Sequence, residues 1–158
     1  MSDFGFAFNQ ATVTSSYKTA GLVTAAAAAA SGVQIRRGKI FDLELGQLSA
    51  PNATDCPVQW DVSRQTAAGN ATAVTPNPFD PADPAFMGLA GSNATAEGTI
   101  TAGSSVLNIG INQRGSYRWA CAPGDELVYP ATASNGFAFR CLSPNYGGAA
   151  GGSCGHRE

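Results

Sequence analysis

The chain has 158 residues, a formal charge of −2 and no extended basic surface, which gives no electrostatic case for binding nucleic acid. Charged residues make up 13%, about half the ~25% usual for soluble domains, so a lone copy is poorly protected against association and self-association is expected. No stretch is apolar for long enough to cross a membrane, and Met1, Ser2 and Asp3 do not open a secretory signal, so synthesis in a cytoplasm is expected.

In chain order, Phe4, Phe6 and Phe8 alternate with Gly5 and Ala7, which predicts a first strand with one aromatic face. Thr, Val, Ser and Ala through residue 24 favour extended structure. Residues 25–30 are six alanines, good helix formers in a run too short to be stable alone; strand, loop and a single helical turn stay open, with a short irregular connection the plainest reading. Residues 1–32 are read as an extended N-terminal segment, an assembly arm ahead of a β-sandwich domain at 33–158. Arg36, Arg37 and Lys39 form the one basic cluster and read as a solvated turn.

Residues 39–45 predict a strand with Phe41, Leu43 and Leu45 on one face and Ile40, Asp42 and Glu44 on the other. After a turn near Pro51 and Asn52, residues 58–64 place Val58, Trp60 and Val62 inward and Gln59, Asp61 and Ser63 outward. Pro76, Pro78, Pro81 and Pro84 make residues 75–84 a rigid surface loop, either a binding loop or a connector between sheets. Phe86, Met87 and Leu89 dock it back. Further strands are expected at 97–101 and 106–111. The stretch 112–142 then gathers Tyr117, Trp119 and Cys121 on one strand face, the short run of Leu127, Val128 and Tyr129, and Phe137, Phe139 and Cys141 on another face. Cys121 and Cys141 share faces with Trp119 and Phe139 and are expected to be buried. A glycine-rich segment at 147–152 precedes a short closing strand. Some eight short strands without a convincing helix predict an all-β fold: a single-domain antiparallel β-sandwich, jelly-roll-like.

No constellation of catalytic groups is visible. The sole histidine, His156, leaves no room for a His-rich metal site or for most nucleophile–base triads. Cys154 and His156 could supply two metal ligands, but no cysteine pair has the short spacing of a zinc site, so neither metal nor cofactor is expected. Cys56, Cys121, Cys141 and Cys154 permit three disulfide pairings; in a reducing cytoplasm buried thiols are the expected state. Asp42, Glu44, Asp61 and Asp125 read as solvent-facing, and Asp80 and Asp83 sit in the proline loop without a calcium-loop pattern. The Asn-Ala-Thr triplets at Asn52, Asn70 and Asn93 read as polar turn and strand residues. No catalytic residue is assigned and no enzymatic activity is expected.

Three stretches carry a resemblance. One is 58–76, with Thr66-Ala67-Ala68-Gly69-Asn70 in it; another is Asn112-Gln113-Arg114 before Tyr117-Arg118-Trp119; the third is Ala122-Pro123-Gly124-Asp125-Glu126 before 130–136. Together, over 37–142, they resemble the small β-sandwich head decoration or cement proteins of tailed bacteriophages. The resemblance implies a homotrimer at capsid symmetry axes, bound non-covalently to the major capsid protein on the virion surface, and it brings no catalytic residues. A phage fibre or tail module that binds a host-surface glycan through aromatic platforms such as Tyr129 or Tyr146 is the alternative. A small β-sandwich hydrolase is a more distant one.

Overall fold

A computed structural model describes residues 1–28 and 34–158 of the chain. Its plan is a long antiparallel ribbon rolled on itself. Strand β1 (Asp3–Gln10) pairs with β12 (Ala150–Arg157), and β2 (Lys18–Thr24) with β11 (Gly136–Leu142). Further inward in the sequence, β3 (Gly38–Gln47) pairs with β10 (Leu127–Tyr129), and β4 (Pro57–Ala67) with β8 (Thr99–Asn112). The excursion between β4 and β8 supplies β5 (Asn70–Val74), β6 (Asn77–Pro78) and β7 (Leu89–Ala96), and β9 (Tyr117–Ala120) lies beside β3 next to β10. Two six-stranded sheets result. The first runs β10-β3-β12-β1-β6 with β9 on the same edge of β3, and the second runs β5-β7-β2-β11-β4-β8. First-with-last nesting across two facing sheets is the jelly-roll arrangement the strand spacing predicts, and no helix occurs among the described residues.

Residues 3–24 are not an arm. Phe6 and Phe8 of β1 lie in the core between the sheets, Phe4 is buried beside Phe86 and His156, and β2 sits between β7 and β11. Phe8 packs directly on the backbone of β2: a Cβ at Gly21 would fall inside its ring. The expected division into a segment at 1–32 and a domain at 33–158 therefore fails for the part that can be followed; its boundary lies outside the described residues. So do the last two of the six alanines. Residues 25–28 are irregular, tied down by Ala25 N–H to Asn135 O at 2.9 Å.

Three further expectations need correction. A register irregularity opposite Gly155 and His156 turns Ile40 into the core with Leu43 and Leu45 and pushes Phe41 onto the outer face, under the Arg157 guanidinium. Asp61 is buried on the outer side of β4. Trp119 and Cys121 are only half-buried, because β9 is an edge strand; the central indole is Trp60, fully buried against Phe8. The expected closing strand is present and longer, starting at Ala150, and β12 is an interior strand of its sheet. The proline loop is a connector: β6 lies on β1, with Phe79 N–H donating to Asp3 O at 2.8 Å, so the loop ties the second sheet to the edge of the first. All four cysteines are free thiols; Cys56, Cys141 and Cys154 are buried. Burial pushes the Cys141 thiol up to about 12.

Trp60→Ala is expected to cost about 3–5 kcal/mol, the range for an aromatic deleted from a packed interior, and Trp119→Ala distinctly less. Chemical denaturation of the two variants checks this; equal losses would contradict the placement of β9 at the edge.

Candidate assembly surface

Two polar clusters centre on a buried histidine and a buried carboxylate, and neither is open to a substrate. The first is the His156–Tyr129 pair. Alternation along β12 turns His156 inward, where its ring stacks on Tyr129 and its Nε2 lies 2.6 Å from the phenol oxygen, donor and acceptor set by the tautomer. Phe4 and Phe86 enclose the ring, and both His156 and Tyr129 are fully buried. Burial drives the imidazole down to about 3, against a small opposing pull from Asp3, and raises the Tyr129 phenol. Tyr146 is equally buried, so neither tyrosine expected as an aromatic platform can meet a ligand.

The pair has a consequence for acid stability. The unfolded histidine titrates near 6.5 and the folded one near 3, so the unfolded state binds the extra proton in between. Stability is therefore complete above pH 6.5 and falls as pH drops, by roughly 2 kcal/mol at pH 5. Glu158, raised by burial, acts in the opposite direction below its own raised pKa. Melting curves at pH 7 and pH 5 should show a steeper loss for the wild type than for His156→Gln; parallel losses would refute the assignment.

The second cluster surrounds Asp61. Arg140 donates to its Oδ2 from Nε and Nη2 at 3.0 and 2.6 Å, Ser63 donates to Oδ2, and Ser105 and Asn108 donate to Oδ1. Burial pushes this carboxyl up, but the bonds from Ser105, Ser63, Arg140 and Asn108 together hold it below the usual carboxylate range. Tyr17 closes the cluster, its ring 4.7 Å from the Arg140 guanidinium and its hydroxyl accepting from Asn108. Every atom of the carboxylate is already engaged, which describes a structural anchor. Among the described residues no three Cys, His, Asp or Glu side chains converge as metal ligands.

What remains is surface. Along the outer side of the first sheet, β12 presents Gly151, Ser153 and Gly155, flanked by Gly5 and Ala7 of β1, so the centre of the face is a shallow trough floored by backbone and very small side chains. Exposed apolar side chains stand at its ends, Phe79 at one (63% exposed, against Phe41) and Leu48 at the other (62% exposed). Two charge pairs on this face neutralise themselves: Arg157 with Asp3, and Arg118 with Asp42, two hydrogen bonds each. The hydrogen bonds from the arginines hold both carboxyls below their ordinary value.

No family, curated protein or solved structure matches the chain. Small side chains lose little rotamer freedom when covered, and the pre-paired charges need no new partner, so covering this trough costs little except at Glu44, an exposed carboxylate on its lining for which a partner must supply a donor or cation. Exposed phenylalanine and leucine at its ends supply apolar area to bury. Sequence reasoning missed this face because only residues 153–158 read as a short closing strand, with Gly151 and Gly152 in the glycine-rich segment before it; the alternation Gly151, Ser153, Gly155 was the available signal.

Proposed function

We propose that the chain is a virion structural protein that decorates or cements a bacteriophage capsid, contacting the major capsid protein non-covalently. The observation that carries the reading is the trough of β1, β12 and β3, shallow, with Arg157 and Arg118 already paired to Asp3 and Asp42, and ended by Phe79 and Leu48. The resemblance over 37–142 supports it, as does the low overall charge. A cementing protein stabilises a shell by mass action, since it binds the assembled lattice better than free subunits.

The test is to add the purified chain to phage capsids stripped of it. Binding should saturate at a fixed number of copies per lattice unit, raise the temperature at which the shell opens, and weaken in Phe79→Ser and Leu48→Ser variants that melt like the wild type. A chain with no affinity for such capsids would end the proposal. The Phe41–Phe79 edge-to-face pair, with ring centroids 6.4 Å apart beside Asp42, favours a second reading, a fibre module holding a host-surface glycan on an aromatic wall. Binding to a glycan array, abolished by Phe79→Ser, would select it.

A further inference from the structure

We infer that β8 is a self-association edge, pairing antiparallel with β8 of a second copy about a two-fold axis, which joins the two β5-β7-β2-β11-β4-β8 sheets into one. β8 is the terminal strand of its sheet and pairs on one side only, with β4. It is 14 residues long and contains no charged residue and no proline. Natural edges are normally guarded by lysine, proline, bulges or brevity, because unpaired backbone donors and acceptors recruit another strand. Among the described residues, the edges of the first sheet have such guards: β6 contains Pro78, β9 contains Arg118, and β10 has three residues; the other edge of the second sheet, β5, is only five residues long with a register irregularity between Asn70 and Thr72.

The two halves of β8 differ. Near Ser105 and Ile100 the register with β4 is broken, and Gly103 has a positive φ of 69°. From Leu107 to Asn112 the pairing is regular, Leu107 opposite Val62 through Asn112 opposite Pro57. A flat, continuous edge is thus offered only by the second half.

The chemistry of that half selects the occupant. An added strand lies beside Leu107 and Ile109, which pack on the core yet stay partly open to solvent, and beside Asn108, Gly110 and Asn112 on the other face. A charged strand would have its charges desolvated there without a partner. A neutral strand of matching length that alternates apolar and small polar residues is required, and β8 is that strand. Paired with itself it places a second Leu107 and Ile109 over the first, extending the core across the axis, and sets no like charges opposite each other. The five-residue β5 is also neutral, but a β8–β5 contact is heterologous, whereas β8 on β8 closes after two copies. A two-fold pair differs from the three-fold assembly that the resemblance implies, and it does not depend on capsid binding.

Sedimentation of the purified chain over a concentration series tests the inference. The expected result is a monomer–dimer equilibrium, abolished in the Val106→Lys/Gly110→Lys variant, because with Asn108 on the two-fold axis position 106 of one copy lies opposite position 110 of the other and the lysines meet. Val106 is 41% exposed and a Cβ at Gly110 meets nothing within 4 Å, so this variant should keep the wild-type circular dichroism and melting temperature. In a Cys121→Ser background, Val106→Cys/Gly110→Cys should form a covalent dimer on mild oxidation, because the two positions lie opposite each other across the axis and the remaining cysteines are buried. A chain that stays monomeric at every concentration, a trimer, or a dimer indifferent to both lysines would overturn the inference. Capsid rebinding by the monomeric lysine variant, measured separately, reports on the proposed function alone.

Discussion

Deletion of residues 2–20 is expected to abolish folding. The deleted stretch contains all of β1, which pairs with β12 from Asp3–Arg157 to Gln10–Ala150, and the beginning of β2. Phe4, Phe6 and Phe8 would leave the interior together, each worth about 3–5 kcal/mol as a truncated core aromatic, against a total stability of about 5–15 kcal/mol for a domain. Ser92 would also lose the Asn9 backbone, to whose oxygen its hydroxyl donates and from whose N–H it accepts, a link that closes the corner between the sheets. Circular dichroism and amide exchange check the outcome. A truncated chain with native spectra and a cooperative melt would return residues 2–20 to the status of an arm and discard the β1–β12 pairing.

Arg140→Met should be the most costly single change outside the apolar core. Asp61 would keep its bonds from Ser63, Ser105 and Asn108 but lose the cation it is paired with among the described residues, since Arg140 and Asp61 form an ion pair whose side chains are 18% and 3% exposed. Removing one partner of a buried pair costs about 3–5 kcal/mol, and the three surviving donors place this case at about 3 kcal/mol. The sign with pH is fixed by the carboxyl. In the wild type Asp61 titrates below 3.8, so its contribution is present above that value and lost as pH falls through its folded pKa. In the variant the uncompensated carboxylate protonates earlier, so the deficit relative to wild type should shrink as the solution is acidified. Adding Asp61→Asn should recover part of the loss at pH 7. A deficit that grows in acid, or no deficit at pH 7, would show that the ion pair is not what stabilises this cluster.

Where the strand alternation ran undisturbed, the sequence was enough to assign faces. Val58, Trp60 and Val62 are buried as their period of two predicts, and so are Phe137, Phe139 and Cys141. The same rule failed at Phe41 because one extra residue faces Gly155, and a bulge depends on a partner strand more than 100 positions away, which no local pattern encodes. It failed differently at Asp61. Alternation did put the carboxyl on the outer face, but that face is closed by Tyr17, Arg140 and Ser105, contributed by three other parts of the chain. For Trp119 the face was legible and the depth was not, since nothing in Tyr117-Arg118-Trp119 says whether the strand lies at an edge. The trough was hidden for a compositional reason: glycine signals turns, and only its interior position in a sheet makes β12 a floor.

The nesting of first strand with last also bears on how the chain acquires its structure in time. Asp3 and Arg157, 154 positions apart, are joined by a side-chain pair, and β2 waits for β11 in the same way. Such contacts close long loops before they are rewarded, which makes folding slow compared with a helical domain of similar size. On the ribosome β1 lacks its full-length strand partner until β12 has emerged, and its aromatic face lacks Phe139 and His156 until β11 and β12 have, so the first strand made is among the last to be fully sheltered. During that interval Phe4, Phe6 and Phe8 form an exposed apolar stripe, an obvious target for a holding chaperone and the segment through which nascent copies would aggregate. Yield in cells should accordingly depend more on growth temperature and chaperone supply than the stability of the finished sandwich would suggest.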